Sequence, residues 1–169
     1  MTVRVREARG ADAALIARWN AAMAMETEHK QLDPERVRAG VEAGIADPAK
    51  ARYFIAMHEA VAAGRETLAT PAGTLMLTRE WSDWRNGEWW WIQSVYVDPA
   101  HRRRGVFAAL YRHVEQLARS TDGVVGLRLY VERGNATALA TYGALGMVDA
   151  GYAILESPIA PSPTGKEPA

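Results

Sequence analysis

The chain contains no cysteine among its 169 residues. That absence excludes a disulfide framework, a cysteine-ligated zinc or iron–sulfur site, and a thiol nucleophile. No apolar stretch approaches the roughly 18 residues that a membrane-spanning helix needs. Nor does the segment from Met1 to Gly10 resemble an export signal, since it carries Arg4, Arg6, Glu7 and Arg9 with no apolar run behind them. The expectation is a soluble cytoplasmic protein without a membrane partner. A surplus of either charge is also missing, with 20 Lys and Arg balancing 20 Asp and Glu. Nucleic-acid binders usually carry a net basic balance to displace phosphate counterions, so no nucleic-acid partner is expected. What remains is ordinary globular composition, 49% hydrophobic and 24% charged, at a length that fits one domain with a real core.

Two compositional lumps stand out. Five of the six tryptophans fall between Trp81 and Trp91, and four of the eight prolines fall in the last twelve residues. The segment from Ser157 to Ala169 has little to bury, and its prolines cannot donate backbone hydrogen bonds. It predicts a disordered tail (157–169) behind a folded domain spanning 1–156.

Alternation of Val3 and Val5 with Arg4 and Arg6 predicts a short strand. A helix follows, with Asp12 as its N-cap and Leu15, Ile16, Trp19 and Met23 at helical spacing. Asp33-Pro34 starts a second helix, cap then proline, with Val37, Val41 and Ile45 on one face. Strands are predicted at Tyr53–Met57, at about Gly73–Thr78, and at Glu88–Val97 after a turn over Asp83–Gly87. The apolar spacing of Val106, Phe107, Leu110, Val114 and Leu117 predicts an amphipathic helix over Gly105–Ala118. Val124–Val131 reads as a strand, Asn135–Leu145 as a helix capped by Asn135 and ended by Gly146, and Ala150–Leu155 as a final strand. The expected fold is α/β: a mixed, mostly antiparallel sheet of six or seven strands flanked by about four helices.

The residues from Val95 to Ala108 carry the most chemistry. A strand stops at Pro99, a tight basic loop follows, and a helix begins at Gly105. First-turn N–H groups of a helix have no intrahelical partner and lie at the positive end of its dipole, which makes an anion site. Arg102, Arg103 and Arg104 at that place favour a diphosphate. The spacing is neither that of a Walker loop nor that of a dinucleotide fingerprint.

This loop resembles that of the GNAT superfamily of N-acetyltransferases, in which Arg or Gln is followed three positions later by Gly and, two positions further on, by Gly or Ala. Here it stands as Arg102-Arg103-Arg104-Gly105-Val106-Phe107, with Phe107 departing from the pattern. A second element, Asn135 to Met147, resembles the family's helix with Asn at its start and Tyr seven residues on, here Tyr142. The resemblance covers roughly residues 3–156. It implies the GNAT-like acyl-CoA N-acyltransferase fold, with acetyl-CoA as co-substrate and no metal. It implies that Arg102, Arg103, Arg104, Gly105, Val106, Phe107 and Ala108 cradle the pyrophosphate. The backbone of Val95, Tyr96 and Val97 would pair with the pantetheine arm, Asn135 would contact the pantetheine or the helix start, and Tyr142 would be the general acid that protonates the departing thiolate. Trp91 occupies the strand position where some members carry a catalytic glutamate. The base is therefore sought elsewhere: Glu80, Glu88 or Asp83, Glu26 or Glu28 at the end of the first helix, or a water.

The resulting expectation is direct transfer of an acetyl group to an amine in a ternary complex. A cysteinyl acyl-enzyme is excluded by composition. A small-molecule amine is preferred and a protein or peptide amine is the competitor. Aromatic faces and carboxylates around Glu80–Ser94 would suit a cationic amine, with Trp81, Trp84 and Gln93 as candidate contacts. The rival class is a non-catalytic acyl-CoA-binding or sensor module. Exposed edges and aromatic surface make a homodimer an open expectation.

Overall fold

The computed structural model describes residues 2–61 and 67–157. Its strands and helices are β1 (Thr2–Glu7), α1 (Ala13–Glu28), α2 (Pro34–Ala46), β2 (Arg52–Val61), β3 (Thr67–Ser82), β4 (Gly87–Val97), α3 (Val106–Arg119), β5 (Val124–Leu129) and α4 (Ala136–Ala144). The five strands lie in sequence order in one sheet. Neighbours from β1 to β4 are antiparallel, and β5 runs parallel to β4. A parallel neighbour requires a crossover, and α3 supplies it. The mixed α/β architecture with four helices is the expected one, with five strands rather than six or seven.

The missing strand is the one expected at Ala150–Leu155, which forms no ladder among the described residues. Tyr152, Ile154 and Leu155 are exposed there. Alternation in sequence supplies a strand's two faces but not the partner whose hydrogen bonds define it. The expected tail falls almost wholly outside the described residues.

Local chemistry explains most boundaries. The Asp33 side chain accepts from the backbone N–H groups of Glu35 and Arg36, and Pro34 opens α2. Asp12 precedes α1 but does not cap it, contrary to the sequence expectation. Its two carboxylate oxygens instead meet Arg6 Nη1 and Nη2, both at 2.8 Å, and one also accepts from Arg9 N. A bidentate arginine holds the carboxylate of Asp12 below its usual pKa and away from the helix amides.

The sheet buries both faces. Ala13, Ile16 and Ala17 of α1, with Val41 of α2, pack with Tyr53 and Ile55. On the opposite side of β2, the Phe54 ring meets the edge of His113 on α3 at 5.2 Å. Val106, Leu110 and Val114 on the apolar stripe of α3 are buried.

The chain divides into two compact units, the first ending at Leu129 and the second starting at Tyr130. In the second, Asn135 Oδ1 accepts from Ala138 N at 2.9 Å and so caps α4. Gly146, at φ 86°, ends that helix as expected.

Candidate functional site

β4 has two different halves. From Glu88 to Ile92 it is paired on both sides, by β3 and by β5. Beyond Ile92 the pairing with β5 stops, while β3 continues to Val97. Residues 93–97 therefore have an edge without a strand partner among the described residues. The split begins at a bulge: Leu77 pairs with Ile92 and Met76 with Ser94, which leaves Gln93 as the extra residue. Gln93 Nε2 donates to Thr78 Oγ1 at 2.8 Å. A free edge offers backbone donors and acceptors to an extended ligand.

At Val97 the edge runs into the basic loop. Asp98 Oδ1 accepts from Ala100 N at 2.9 Å, and Pro99 begins a single 3-10 turn. Arg103 (φ 61°) and Gly105 (φ 77°) both adopt left-handed backbone. A Cβ on Gly105 would meet nothing within 4 Å, so glycine is favoured there by its backbone conformation rather than by crowding. With α3 beginning at Val106, the amides of 106, 107 and 108 have no acceptor within the helix. An open cleft of about 320 Å³ is lined by Val97, Arg102, Arg103, Gly105, Val106, Phe107 and Ala108. The half-buried Phe107 ring lies 6.2 Å from that of Tyr111, one turn along α3. An extended ligand on the edge would thus end at the cleft between the basic loop and the first turn of α3, where arginines and helix amides without intrahelical acceptors suit a diphosphate-tailed molecule.

Arg102 is tied back from this loop. Its Nε donates to Val97 O at 3.0 Å and its Nη2 to Glu26 Oε2 at 2.5 Å. Tyr96 donates its hydroxyl to Glu26 Oε1 at 2.9 Å, and the Arg102 guanidinium lies over the Tyr96 ring. The Arg102 hydrogen bond holds the Glu26 carboxyl below its ordinary pKa, and burial raises that of Tyr96. Sequence reading placed Glu26 among the carboxylate candidates but carried no signal of this partnership, because the two residues are 76 positions apart. Behind the loop, the rings of His58 and His101 stand 5.1 Å apart.

The other predicted residues are distributed differently. Glu80 Oε2 accepts from Trp91 Nε1, and its Oε1 accepts from Arg128 at 2.8 Å. Arg128 stacks on Trp89, 4.2 Å from its ring centre. Glu88 pairs with Arg79 near the β3–β4 turn. Glu88 and Val97 stand at opposite ends of β4, roughly 30 Å apart at about 3.3 Å per residue. Trp81 and Trp84, 61% and 89% exposed, belong to the Glu88 end, so the structure does not bring them together with the basic loop. In the second unit, Asn135 caps α4 and Tyr142 lies on the same helix, its hydroxyl pKa raised by burial. Among the described residues no cluster of three or more His, Asp or Glu could hold a metal ion, and no helix is long and apolar enough to cross a membrane.

This geometry of strand edge, basic loop and helix N-terminus coincides with a family assignment. The sequence model of the acetyltransferase (GNAT) family matches residues 16–147, and the chain belongs to that family. Among solved structures, a possible acetyltransferase from Clostridium difficile 630 is 38% identical with a TM-score of 0.82, covering 95% of this chain and 99% of its own. A transcriptional regulator from Bacillus halodurans C-125 (18% identity, TM-score 0.72, 94% and 100% covered) shares the fold. So does a ribosomal-protein-alanine N-acetyltransferase from Brucella melitensis biovar Abortus 2308 (16% identity, TM-score 0.67, 92% and 99% covered). No curated protein sequence matches the chain.

Proposed function

We propose that this chain is an acetyl-CoA-dependent N-acetyltransferase that passes an acetyl group directly to an amine, preferably a small-molecule amine, in a ternary complex. The observation that carries the proposal is the edge of β4 at residues 93–97, without a strand partner among the described residues, leading into the cleft at the start of α3. The thioester supplies an activated acyl group. Val95, Tyr96 and Val97 offer the backbone edge for the pantetheine arm, and residues 102–108 together form the cradle in which the diphosphate sits. Asn135 fixes the start of α4, and Tyr142 on that helix donates the proton to the leaving thiolate.

The proton lost by the amine needs an acceptor. Both oxygens of Glu80 already accept from Trp91 and Arg128, so protonation would sacrifice one of those bonds. Glu88 pairs with Arg79 and lies roughly 17 Å along the strand from the Gln93 bulge. A water near the Gln93 bulge suits the role better, with Glu80 ordering the surrounding side chains.

A scan of amines with acetyl-CoA and a thiol reagent, run beside calorimetry of coenzyme A binding, tests the proposal. Thiol release with at least one amine is expected. Tight coenzyme A binding without release across a broad panel would favour the acyl-CoA-binding module instead, and no binding would overturn the whole assignment. General acid catalysis contributes about 10²–10⁴ in rate, so Tyr142→Phe should lower kcat by about that factor while coenzyme A still binds. Full activity in that variant, with chemistry rate-limiting, would sink the acid role.

A further inference from the structure

We propose that the consecutive arginines divide their labour, with Arg102 acting as a strut that Glu26 holds in place at the cleft wall and Arg103, which lines the same cleft without a side-chain partner among the described residues, supplying the charge that meets the anion. This inference rests on the acyl-CoA assignment above and assigns a positioning role inside that site.

The geometry separates the three residues. Arg102 spends Nε on Val97 O and Nη2 on Glu26, with its plane over Tyr96. Glu26 in turn has both oxygens engaged, one by Arg102 and one by the Tyr96 hydroxyl. Three elements are therefore tied at one point: the C-terminal turn of α1, the end of β4 and the start of the basic loop. Neither Arg103 nor Arg104 has an ion-pair partner or side-chain hydrogen bond among the described residues, and both are exposed. Arg103 also carries the left-handed backbone of the loop. The residue before it must be fixed if that conformation is to be held ready for a ligand. A planar fork can reach a carbonyl and a carboxylate at once, whereas a lysine ammonium on a flexible stem cannot reproduce that pairing.

The rival role for Arg102 is direct contact with the diphosphate, in which case Glu26 competes for it. The two roles predict opposite signs. Coenzyme A binding, measured by calorimetry on the full chain at two salt concentrations, separates them. If Arg102 is a strut, Glu26→Gln, Arg102→Gln and Arg102→Lys each weaken binding by about three- to tenfold, as expected for a partly exposed charged network. The double variant Glu26→Gln/Arg102→Gln is then no weaker than either single one, since both remove the same interaction. The salt dependence of binding stays as in the parent for these variants and becomes shallower for Arg103→Gln.

Thermal unfolding checks that the fold is kept, as expected for side chains 45% and 41% exposed. Tighter binding by Glu26→Gln overturns the strut, and so does parent-like binding by Arg102→Lys when Arg102→Gln has lost affinity. If the parent chain itself fails to bind coenzyme A, the functional assignment falls and this inference with it. That result is distinguishable because no variant is then involved.

Discussion

The two ends of β4 differ in almost every respect that bears on function. At the Gly87 end the strand is hydrogen-bonded on both sides, and its turn projects Trp84 into solvent. At the Val97 end one edge is open, the loop holds left-handed residues, and an ion-pair network ties three elements together. A fully paired strand has spent its backbone groups on the sheet, so only side chains remain for recognition there. An open one keeps its backbone for a ligand.

A matched pair of glycine substitutions tests this contrast with the largest expected effects. A Cβ on Gly73 would lie 2.6 Å from Tyr96 O and 3.1 Å from Val106 Cγ1, at the open end. A Cβ on Gly87 would lie 2.5 Å from Gly123 O and 2.6 Å from Val125 Cγ1, at the closed end. Backbone must move in both cases, at a cost of roughly 1–3 kcal/mol of stability each. Gly73→Ala is also expected to weaken coenzyme A binding more than tenfold, because the displaced backbone is the edge itself, whereas Gly87→Ala should leave binding within about twofold in a chain equally destabilised. Equal binding losses in calorimetry would show that general softening, not the edge, controls the site.

The next contrast is between arginines. Arg103→Ala, at a residue that lines the cleft, is expected to weaken coenzyme A binding by about three- to tenfold at low salt, and by less as salt screens the site. Arg85, whose guanidinium lies over Trp89 near the other end, should show no such loss. A salt-independent loss at Arg103 would mean that it acts through loop conformation alone.

These contrasts also show what was legible in sequence. The basic loop was readable because its signals are local: Pro99 stops a strand, Gly105 permits the left-handed turn, and the apolar spacing starts a helix. Asp33 and Asn135 were legible as caps for the same reason. Asp12 carried an equally good cap signal and was diverted by Arg6, whose approach depends on where β1 ends relative to α1. The Glu26 network and the bulge at Gln93 depend on register between distant strands and helices, which no short window contains. The tryptophan lump is contiguous in sequence but not in space. Trp90 is buried, Trp89 and Trp91 share a sheet position with Arg128 and Glu80, and Trp81 and Trp84 stand near the turn. Alternation along a strand scatters neighbours onto opposite faces.

A smaller effect concerns pH. Burial, chiefly, lowers the pKa of His113, whose ring packs on Phe54 under α3. A lowered folded-state pKa means that the folded protein binds the proton less readily than the unfolded chain. The stability gained from neutral His113 is complete above the unfolded value, near 6.5, and is lost as pH falls through the folded value. Stability should therefore decline from pH 7 toward pH 5, and His113→Gln should flatten that decline. Denaturant unfolding at a series of pH values reads the slope directly, and an unchanged slope in the variant would remove His113 as its source. Neither end of β4 contains His113, so coenzyme A affinity should not follow this titration.

The smallest expected effect is at Trp84. A tryptophan 89% exposed gains little from burial, so Trp84→Ser should change stability by less than about 0.5 kcal/mol. It should also leave coenzyme A affinity and the acceptor KM unchanged, because the turn begins beyond Glu88, itself roughly 17 Å along the strand from Gln93 where the open edge starts, out of reach of an amine held at that edge. Trp81 shares that end and the same expectation for KM. Steady-state kinetics with a fixed amine decides the matter: a KM that rises on Trp84→Ser would place part of the acceptor site at the closed end and abolish the functional asymmetry of β4.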